Sequence, residues 1–375
     1  MELALSDDQQ ALQDSVRAVL ERECPMALVR RVVEEGKDTD ELWSRMVELD
    51  WPALVVPEAH GGLGLGFVEL AVVAEQLGYV LAPAPFLATA AQFVPAVRAA
   101  GSDAQRDLFL GAVARDGAVG TLALAEAGGS FDPADIATTA TADGDEWLVT
   151  GEKHFVFDGS RAEEVVVAAR LPGTSGDDGV TLFVVPGSQV AAEPMSNLDG
   201  SRNYATVVLD SVRVGSDRVL GTPGEMAPVV RSIVQEATAA LAVEMVGTCQ
   251  AIFDTVLAYV GEREQFGVKV GSFQAVKHKM ANMYVALESA RATAYFAAAA
   301  IAEGDERRDV AVAMAKAGAG DCQKLVTQEG IQLLGGIGYT WEHDMHLYVK
   351  RAKAGAALFG TGAEHLARLA GLLGL

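Results

Sequence analysis

The sequence predicts an α+β fold in which one β-rich segment separates two helical segments. Residues 6–118 and 225–375 carry apolar residues at helical spacing, whereas residues 119–222 contain short β-branched runs bounded by turn signals. Helices and strands are therefore segregated along the chain, which disfavours the regular alternation of a doubly wound fold. We predict an N-terminal helical domain at 1–118, a middle β domain at 119–222 and a C-terminal helical domain at 223–375.

The N-terminal domain begins with a helix-capping signal. Ser6 and Asp7 precede Leu12, Val16 and Leu20, whose spacing places them on one helical face. Pro and Gly residues separate the further helical runs that we predict, at 41–49, 68–77 and 86–100.

The strands and the long C-terminal helices follow from the same reasoning. Turn signals such as Asp143-Gly144 bound the short β-branched runs. The predicted strands lie at 120–125, 146–150, 165–169, 180–185 and 205–209. The predicted C-terminal helices lie at 228–259, 273–302, 308–334 and 341–373.

Charge and composition exclude several functional classes. The 375 residues include 29 Lys+Arg and 51 Asp+Glu, a formal net charge of −22, which opposes binding to nucleic acids and to anionic membranes. Half of the residues are hydrophobic and 21% are charged, as in globular proteins. The three cysteines show no CxxC spacing, so we expect neither a disulfide framework nor a zinc site, and a reducing cytoplasm fits. The acidic start of the sequence differs from a secretory signal, and the Ala-rich run 292–302 is too short to cross a bilayer.

Two motifs carry little weight. The glycine-rich stretch 53–66 does not have GxGxxG spacing, and Pro57 interrupts its putative strand, so we interpret it as an interhelical loop rather than a nicotinamide-binding loop. Glu342, His343 and His346 crowd one helical turn, but no further run supplies the remaining ligands of a metal site. We therefore predict a capped helix start there and no metal site.

Two other segments are more specific. The first runs from Arg263 to Gly267 and continues with 271–274, in a turn between two long helices. An arginine in such a turn can bind a pyrophosphate through both arms of its guanidinium, although it can equally pair with a nearby carboxylate. The second segment, 332–338, contains adjacent glycines that allow backbone N–H groups to approach an anion, or that simply end a helix.

Together, in this order and on this layout, the two segments resemble the acyl-CoA dehydrogenase family of flavoproteins. The resemblance extends over essentially the whole chain and is strongest from Arg263 to Tyr339. It implies an N-terminal helical domain, a middle β-barrel-like domain and a C-terminal four-helix bundle, assembled as dimers or tetramers. It also implies an acyl-CoA substrate and an FAD at the subunit interface, with the ADP half held largely by the neighbouring chain.

The resemblance assigns cofactor-binding positions residue by residue. Arg263 and Gln265 match the pyrophosphate contacts, and Phe266 matches a packing position. The other matching residues are Gln274, Gln332, Gly335, Gly336 and Thr361.

The positions of the catalytic base depart from the family pattern. A glutamate in a Tyr-Glu-Gly-Thr-like turn usually removes the α-proton of the thioester, but the matching run 358–361 has Phe359 instead. The alternative base position on the first long C-terminal helix holds Ala237. Glu236 is one residue away, a rotation of about 100° around a helix, and is only a weak candidate.

The predicted flavin pocket is altered as well. Ala125 and Phe157 occupy positions where the family pattern has hydroxyl groups that contact the flavin, and Phe155 lies in the same run as Phe157. Loss of donors to the flavin ring, together with added aromatic bulk, is unfavourable for a reactive flavin.

These departures lead to our main hypothesis. The chain resembles the non-catalytic subunit of the heteromeric acyl-CoA dehydrogenases of actinobacterial sterol degradation, and its run 81–86 is similar to those enzymes. Its expected partner is a homologous catalytic dehydrogenase subunit. The alternatives are a homo-oligomeric dehydrogenase with an unconventional base, and a protein that binds acyl-CoA or FAD without redox turnover.

Overall fold

The computed structural model describes residues 4–375, and eight helices precede the first strand. They are α1 Asp7–Glu23, α2 Met26–Glu35, α3 Asp40–Glu48, α4 Phe67–Tyr79, α5 Phe86–Ala88, α6 Val94–Ala100, α7 Asp103–Gln105 and α8 Gly111–Asp116. Two π-helical turns, Thr89–Phe93 and Arg106–Leu110, connect α5 to α6 and α7 to α8. The first three residues of the acidic N-terminal stretch lie outside the described residues.

The predicted start of α1 is confirmed, and the glycine-rich stretch forms a loop. The Ser6 side chain accepts a hydrogen bond from the backbone N–H of Gln9, and the Gln9 side chain accepts one from the backbone N–H of Ser6. These two bonds form a capping box. Residues 53–56 form turns rather than a strand. Gly66 caps α4 by donating its N–H to Glu69 at 2.9 Å, so these glycines start a helix that is buried along most of its length.

The middle domain is an eight-stranded sheet with the order β6-β7-β3-β2-β4-β5-β8, in which β1 pairs with β4 in parallel. The strands are β1 Gly120–Ala123, β2 Thr139–Asp143, β3 Glu146–Phe157, β4 Glu164–Arg170, β5 Val180–Pro186, β6 Ala191–Pro194, β7 Tyr204–Gly215 and β8 Val219–Leu220. The antiparallel pair of β3 and β7 ends with Phe157 directly opposite Tyr204. This pairing brings two large rings to the edge of the sheet that faces the helices.

The C-terminal domain contains three long helices and two shorter ones: α9 Ala227–Glu262, α10 Gln274–Ala302, α11 Arg308–Leu334, α12 Met345–Ala357 and α13 Gly362–Leu372. A small hairpin of β9 Glu264–Gln265 and β10 Val268–Lys269 joins α9 to α10. The helical stretch predicted over 341–373 is divided into two helices at the predicted turn 358–361. The left-handed backbone of Phe359 (φ 53°) and Gly360 (φ 95°) interrupts it between α12 and α13.

Helices α9 and α11 run in the same direction. Near their starts, Arg308 donates to the Ser232 carbonyl at 2.8 Å. Near their ends, α11 approaches α9 so closely that a Cβ on Gly330 would lie 2.9 Å from the Ile252 side chain. The ends of both helices therefore lie at the same end of the bundle. An ion pair between Lys279 and Glu329 brings the start of α10 to this end as well.

Helix α9 forms much of the core. It is long and apolar enough to cross a membrane by length and composition, but 78% of its most apolar window is buried inside the fold, as in the core helix of a globular protein. Its burial explains its low amphipathicity, because neighbouring helices cover it on most sides.

A buried cluster of four charges joins the three domains. The Arg351 guanidinium on α12 lies 2.6 Å from Glu244 on α9 and 2.7 Å from Asp199 of the β domain. Arg202 pairs with the same two carboxylates. Arg351 also donates to the carbonyl of Leu81 in the N-terminal domain at 3.3 Å. Two positive and two negative charges thus neutralise one another at the junction of the domains.

Candidate functional site

The turn that matches the family's catalytic turn is held by its backbone carbonyls. Lys316, buried on α11, donates to the carbonyl oxygens of Ala356 at 3.2 Å and Gly360 at 2.7 Å. The His365 imidazole Nε2 lies 2.8 Å from the Phe359 carbonyl oxygen. Burial lowers the pKa of Lys316 to about 8 and also lowers the pKa of His365, which favours the neutral imidazole. These bonds fix the position of Phe359 in its left-handed conformation.

The Phe359 ring packs into a cluster of aromatic side chains, which we call the aromatic cluster: Phe131, Phe157, Tyr204 and Phe359. Phe359 stacks on Phe157 with ring centroids 5.7 Å apart and planes 9° apart, and it packs against Phe131 at 4.7 Å. Phe157 in turn contacts Tyr204 edge to face at 5.1 Å. Phe157 and Phe359 are only 4% and 6% exposed. The cluster therefore fills the space between the β domain and the turn before α13.

Phe155 does not join this cluster. Its backbone also has a positive φ of 56°, and its side chain is 36% exposed, with the ring nearest to that of His154. Ala125 is buried and offers only a methyl group where the family pattern has a hydroxyl. Of the three phenylalanines at altered positions, only Phe157 and Phe359 fill the region next to the turn.

A buried lysine supports the loop that carries Phe131. Lys153 donates to the Leu124 carbonyl at 3.1 Å and to the Glu126 carboxylate at 2.8 Å. Burial lowers the pKa of Lys153 to about 8, whereas burial of Glu126, which alone would raise its pKa, is outweighed by the Lys153 ammonium and the Thr138 hydrogen bonds together, so the pKa of Glu126 is lowered. Glu126 also accepts hydrogen bonds from the backbone of Ala137 and Thr138. These bonds fix the conformation of the loop.

The alternative base position provides no carboxylate to the aromatic cluster. Ala237 is buried and has no titratable group. The Glu236 carboxylate lies 2.7 Å from Arg98 on α6 and 3.5 Å from Arg308 on α11, so it is paired with two guanidinium groups. This geometry disfavours Glu236 as a base.

The predicted ADP-side residues lie together at the end of the bundle where α9 and α11 end. Arg263, Gln265 and Phe266 lie on or next to the β9–β10 hairpin, and Gln274 begins α10. Gln332, Gly335 and Gly336 lie at the end of α11, where Gly335 ends the helix with a φ of 65°. All of these side chains or glycines are exposed, and Arg263 has no ion pair with any residue in 4–375. The sequence signals that are far apart along the chain thus meet on one surface.

This surface also exposes large apolar side chains. Phe266 is 92% exposed and packs only edge to face against Phe273, which is itself partly exposed. Tyr339 and Trp341 are exposed on the segment that follows α11. Exposed aromatic residues beside an arginine are typical of a surface that a partner or a ligand covers.

Thr361 has a different position and role. It caps α13: its hydroxyl accepts from the Glu364 N–H and donates to the Glu364 carboxylate at 2.9 Å. The Thr361 N–H also bonds to this carboxylate at 2.6 Å, and these bonds lower the pKa of Glu364. The structure therefore separates Thr361 from the other predicted FAD contacts and uses it as a helix cap.

A cavity of about 800 Å³ lies beside the turn. Its lining includes Phe131, Phe359 and Thr361 from the aromatic cluster and the turn, and Arg231 from α9. Arg231 pairs with Asp177 and Asp132, and Glu364 is engaged in the cap of α13. The charged groups around the cavity are thus already paired.

No metal-binding cluster occurs among the residues that the structure describes. His343 instead accepts the Met345 N–H at 3.0 Å at the start of α12, and the His346 ring packs against Trp341. The N-cap residue Asp344 makes no side-chain capping bond, so the predicted cap is provided only by the His343 contact with the first turn.

Sequence reasoning missed the residues that support the turn. Lys316 lies in an alanine-rich helix, and its burial gives no signal in the sequence because lysines in such runs are mostly exposed. Tyr204 and Arg202, which packs its guanidinium over the Phe157 ring, were not predicted either, because the β3–β7 register decides their position.

Three family models match the chain in sequence. The N-terminal domain of acyl-CoA dehydrogenase matches residues 6–116, the middle domain matches 121–212, and the C-terminal domain matches 227–372. The chain is 31% identical to "Acyl-CoA dehydrogenase IpdE2" of Mycobacterium tuberculosis, over 97% of this chain and 96% of that protein.

Two solved structures illustrate the structural similarity. A variant of the "Tcur3481-Tcur3483 steroid ACAD" has 29% identity and a TM-score of 0.87, with 98% of both chains covered. Butyryl-CoA dehydrogenase from Megasphaera elsdenii has a TM-score of 0.94 with 100% of both chains covered, and its 24% identity supports the fold alone. The predicted fold class is confirmed.

Proposed function

This chain belongs to the acyl-CoA dehydrogenase family, a family of FAD-dependent oxidoreductases of lipid metabolism, and we propose that it serves as the subunit without the usual base in a heteromeric enzyme. In this proposal the complex performs α,β-dehydrogenation of an acyl-CoA thioester. The partner chain supplies the carboxylate that removes the α-proton.

One observation carries the proposal. The turn that matches the family's catalytic turn presents Phe359, and its ring stacks on Phe157 and packs against Phe131. A phenyl ring has no proton acceptor, so this turn offers no general base. Glu236, the residue next to the alternative base position Ala237 on α9, is paired with two arginines.

The two halves of FAD fit this chain differently. The ADP half, a pyrophosphate and an adenosine bound between chains, fits the exposed surface at the end of the bundle. The groups that would contact it are the guanidinium of Arg263, the amides of Gln265 and Gln332, and the backbone at Gly335 and Gly336. The chain's own side of the flavin site is expected to disfavour an isoalloxazine ring, because Phe157 and Phe359 place stacked rings at two of its positions and Ala125 lacks a donor. The redox step is therefore assigned to the flavin site of the partner. In this proposal, its part is to hold the ADP half of the partner's cofactor.

The nature of the partner is inferred from the exposed surface and from a structural relative. The exposed aromatic residues around Arg263 favour a protein partner, and a homologous dehydrogenase chain brings the FAD that the ADP-side residues fit. The similar steroid acyl-CoA dehydrogenase carries a two-component name, which supports a heteromer. A sterol-derived or fatty acyl-CoA is the proposed substrate class, and a cytoplasmic location stays a prediction.

The alternatives are less well supported. A homo-oligomeric dehydrogenase needs an unconventional base, and the carboxylates of Glu236 and Glu364 are both engaged in other contacts. A protein that binds FAD or acyl-CoA without turnover remains distinguishable from our proposal by the activity of the complex.

Co-expression tests the proposal. We would produce the chain alone and together with the dehydrogenase-like product of an adjacent gene, then measure flavin per chain and bleaching of the flavin by acyl-CoA. We expect little flavin and no bleaching with the lone chain, and both with the complex. Full flavin occupancy and bleaching in the lone chain would contradict a non-catalytic role. Stable complex formation without bleaching by any acyl-CoA would favour the non-redox alternative.

A further inference from the structure

A second cavity, of about 600 Å³, lies at the junction of the three domains, and we call it the junction cavity. Its lining includes Phe157 and Asp158 from the β domain, Leu87 from the N-terminal domain, and Glu244 and Arg351 from the C-terminal domain. Phe157 lines this cavity, whereas Phe359 lines the cavity beside the turn. The stacked pair of rings therefore separates the two cavities. A volume of this size accommodates a small organic molecule.

Asp158 is a buried carboxylate without a partner in this cavity. It is only 9% exposed, and its side chain makes no hydrogen bond or ion pair with any residue in the described range. Burial raises its pKa to about 6 despite the more distant charges of Arg161, Arg202 and Arg351. Buried carboxylates are normally hydrogen-bonded, so an unpaired one calls for a donor from outside the chain.

The neighbouring cations are already neutralised. Arg202 and Arg351 pair with Asp199 and Glu244, two positive charges against two negative ones. Arg161 pairs with Asp40 at 2.8 Å. The remaining charges at the cavity, those of Lys37 and Asp38, are exposed and of opposite sign. An anionic ligand would therefore find no free buried cation, and it would meet the Asp158 carboxylate.

Part of the cavity wall is apolar, whereas the part formed by residues 194–204 carries polar side chains, among them Asn197, Ser201 and Asn203, which hydrogen-bond within the chain. Leu77, Ala82, Phe86 and Leu87 from the N-terminal domain line one side, and the Phe157 ring lines another. Tyr204 also lines the cavity, is 4% exposed, and has a hydroxyl without a hydrogen-bond partner among the described residues. This combination of an apolar wall and two unpaired oxygen-bearing side chains specifies the kind of molecule that fits.

We propose that the junction cavity binds an uncharged, compact apolar molecule that bears a hydroxyl group, and that this hydroxyl donates a hydrogen bond to the Asp158 carboxylate. The apolar body of the ligand packs against the wall formed by Leu77, Phe86 and Leu87. The site is independent of the FAD-side surface, since it lies behind the Phe157 ring and shares no residue with that surface.

Three probes of the same size test the chemistry of the site. Decahydro-2-naphthol presents a hydroxyl, 2-decalone presents only an acceptor, and decahydro-2-naphthoate presents a negative charge. Calorimetric titration of the full-length chain at pH 7.5 should show at least about tenfold tighter binding of the alcohol than of the other two. At pH 5, where Asp158 is protonated and can itself donate, binding of the ketone should strengthen.

The variant Asp158→Asn locates the site. Asn is well suited to this substitution because Asp158 has a φ of 49°, a conformation that Asn adopts readily. We expect the variant to bind the alcohol and the ketone within about threefold of each other and to lose the pH effect. Asp38→Asn, which removes an exposed carboxylate at the rim of the same cavity, should retain the preference of the unmodified chain.

Three results would overturn the inference: equal binding of alcohol and ketone, no binding of any probe at millimolar concentration, or an unchanged preference in the Asp158→Asn variant. These titrations use the lone chain without flavin or partner. Their failure is therefore distinguishable from a failure of the proposed heteromeric function, which is measured by flavin content and bleaching of the complex.

Discussion

The rings of Phe157 and Phe359 lie nearly parallel, with centroids 5.7 Å apart, although one residue ends a strand of the β domain and the other lies in the turn before the last helix. Contacts of this kind between aromatic rings stabilise a fold beyond the burial of their area. The stack is therefore a structural joint between the middle and C-terminal domains. Both residues stand at positions that the family resemblance matches to contacts of the flavin and the thioester.

Removal of the Phe359 ring should destabilise the chain, and the cost should depend on the replacement. We expect Phe359→Ala to lower the free energy of unfolding by about 3–5 kcal/mol, because the ring is buried against two others. Phe359→Gly should cost about 1 kcal/mol less than the alanine variant, since glycine adopts a φ of 53° without strain. Urea unfolding measures both values.

Phe266 provides a matched control for this pair of variants. Its φ of 56° is nearly the same, but its ring is 92% exposed. Phe266→Ala should therefore change stability by only about 0.5 kcal/mol. Equal costs at the two positions would contradict a structural role of the aromatic cluster.

Lys316 should give the stability of the chain a dependence on alkaline pH. Burial holds its pKa at about 8, below the ordinary value of 10.5. Between these values the unfolded chain binds a proton that the folded chain has released, so the free energy of unfolding should rise as the pH rises through this window. Below pH 8 the full cost of the buried ammonium is present.

The variant Lys316→Met should remove the contribution of Lys316 to the increase in the free energy of unfolding with pH. Lys153, whose pKa is also about 8, should still produce its own share. Lys324→Met, on the exposed face of the same helix, should leave the pH profile unchanged. Unfolding by urea at a series of pH values tests this, and a profile that is identical in the unmodified chain and Lys316→Met would refute the prediction.

Arg263→Ala should impair the complex and leave the lone chain intact. The side chain is exposed and has no ion pair within the described residues, so the melting temperature of the isolated chain should not change measurably. If Arg263 binds the pyrophosphate of the partner's FAD, flavin affinity of the co-expressed complex should fall by at least about tenfold, as expected for loss of a charge-assisted contact. Lys269→Ala removes an exposed charge from the same hairpin and should retain flavin. Similar flavin content in all three complexes would exclude this role of Arg263.

Glu236→Gln should affect stability rather than catalysis. The substitution weakens the contacts with Arg98 and Arg308 at a buried position, which we expect to cost about 1–3 kcal/mol. Turnover of the complex, measured per folded molecule, should stay within about twofold, because the carboxylate is paired with two guanidinium groups. Glu262→Gln, at an exposed position on the same helix, serves as the control for stability. A loss of turnover of a hundredfold or more would instead identify Glu236 as an unconventional base.

The sequence predicted the helices and strands well wherever periodicity or capping is local. The capping box at Ser6 and the ends of α11 at Arg308 and Leu334 agree with the predicted positions. Within the helical stretch 341–373, apolar periodicity gives no sign of the left-handed conformation at Phe359, and only the family resemblance indicated a turn there.

The site was only partly predictable. The substitutions at Phe157 and Phe359 are visible in the sequence, but their mutual stacking depends on how two domains meet. The roles of Lys316, Tyr204 and Asp158 depend on long-range packing, which no local pattern encodes. Arg263 and Gln332 were predicted to act together, and the parallel course of α9 and α11 explains why they meet.

The way in which the turn before α13 is fastened bears on how such subunits diverge. Lys316 and His365 bind the carbonyl oxygens of Gly360 and Phe359, and neither bond involves the side chain at position 359. The backbone scaffold is thus indifferent to whether that position carries an acid or a ring. A gene duplicate can exchange a chemical role for a packing role at a single codon, without rebuilding the loop, and two copies of one ancestral fold can divide the labour of an enzyme between them.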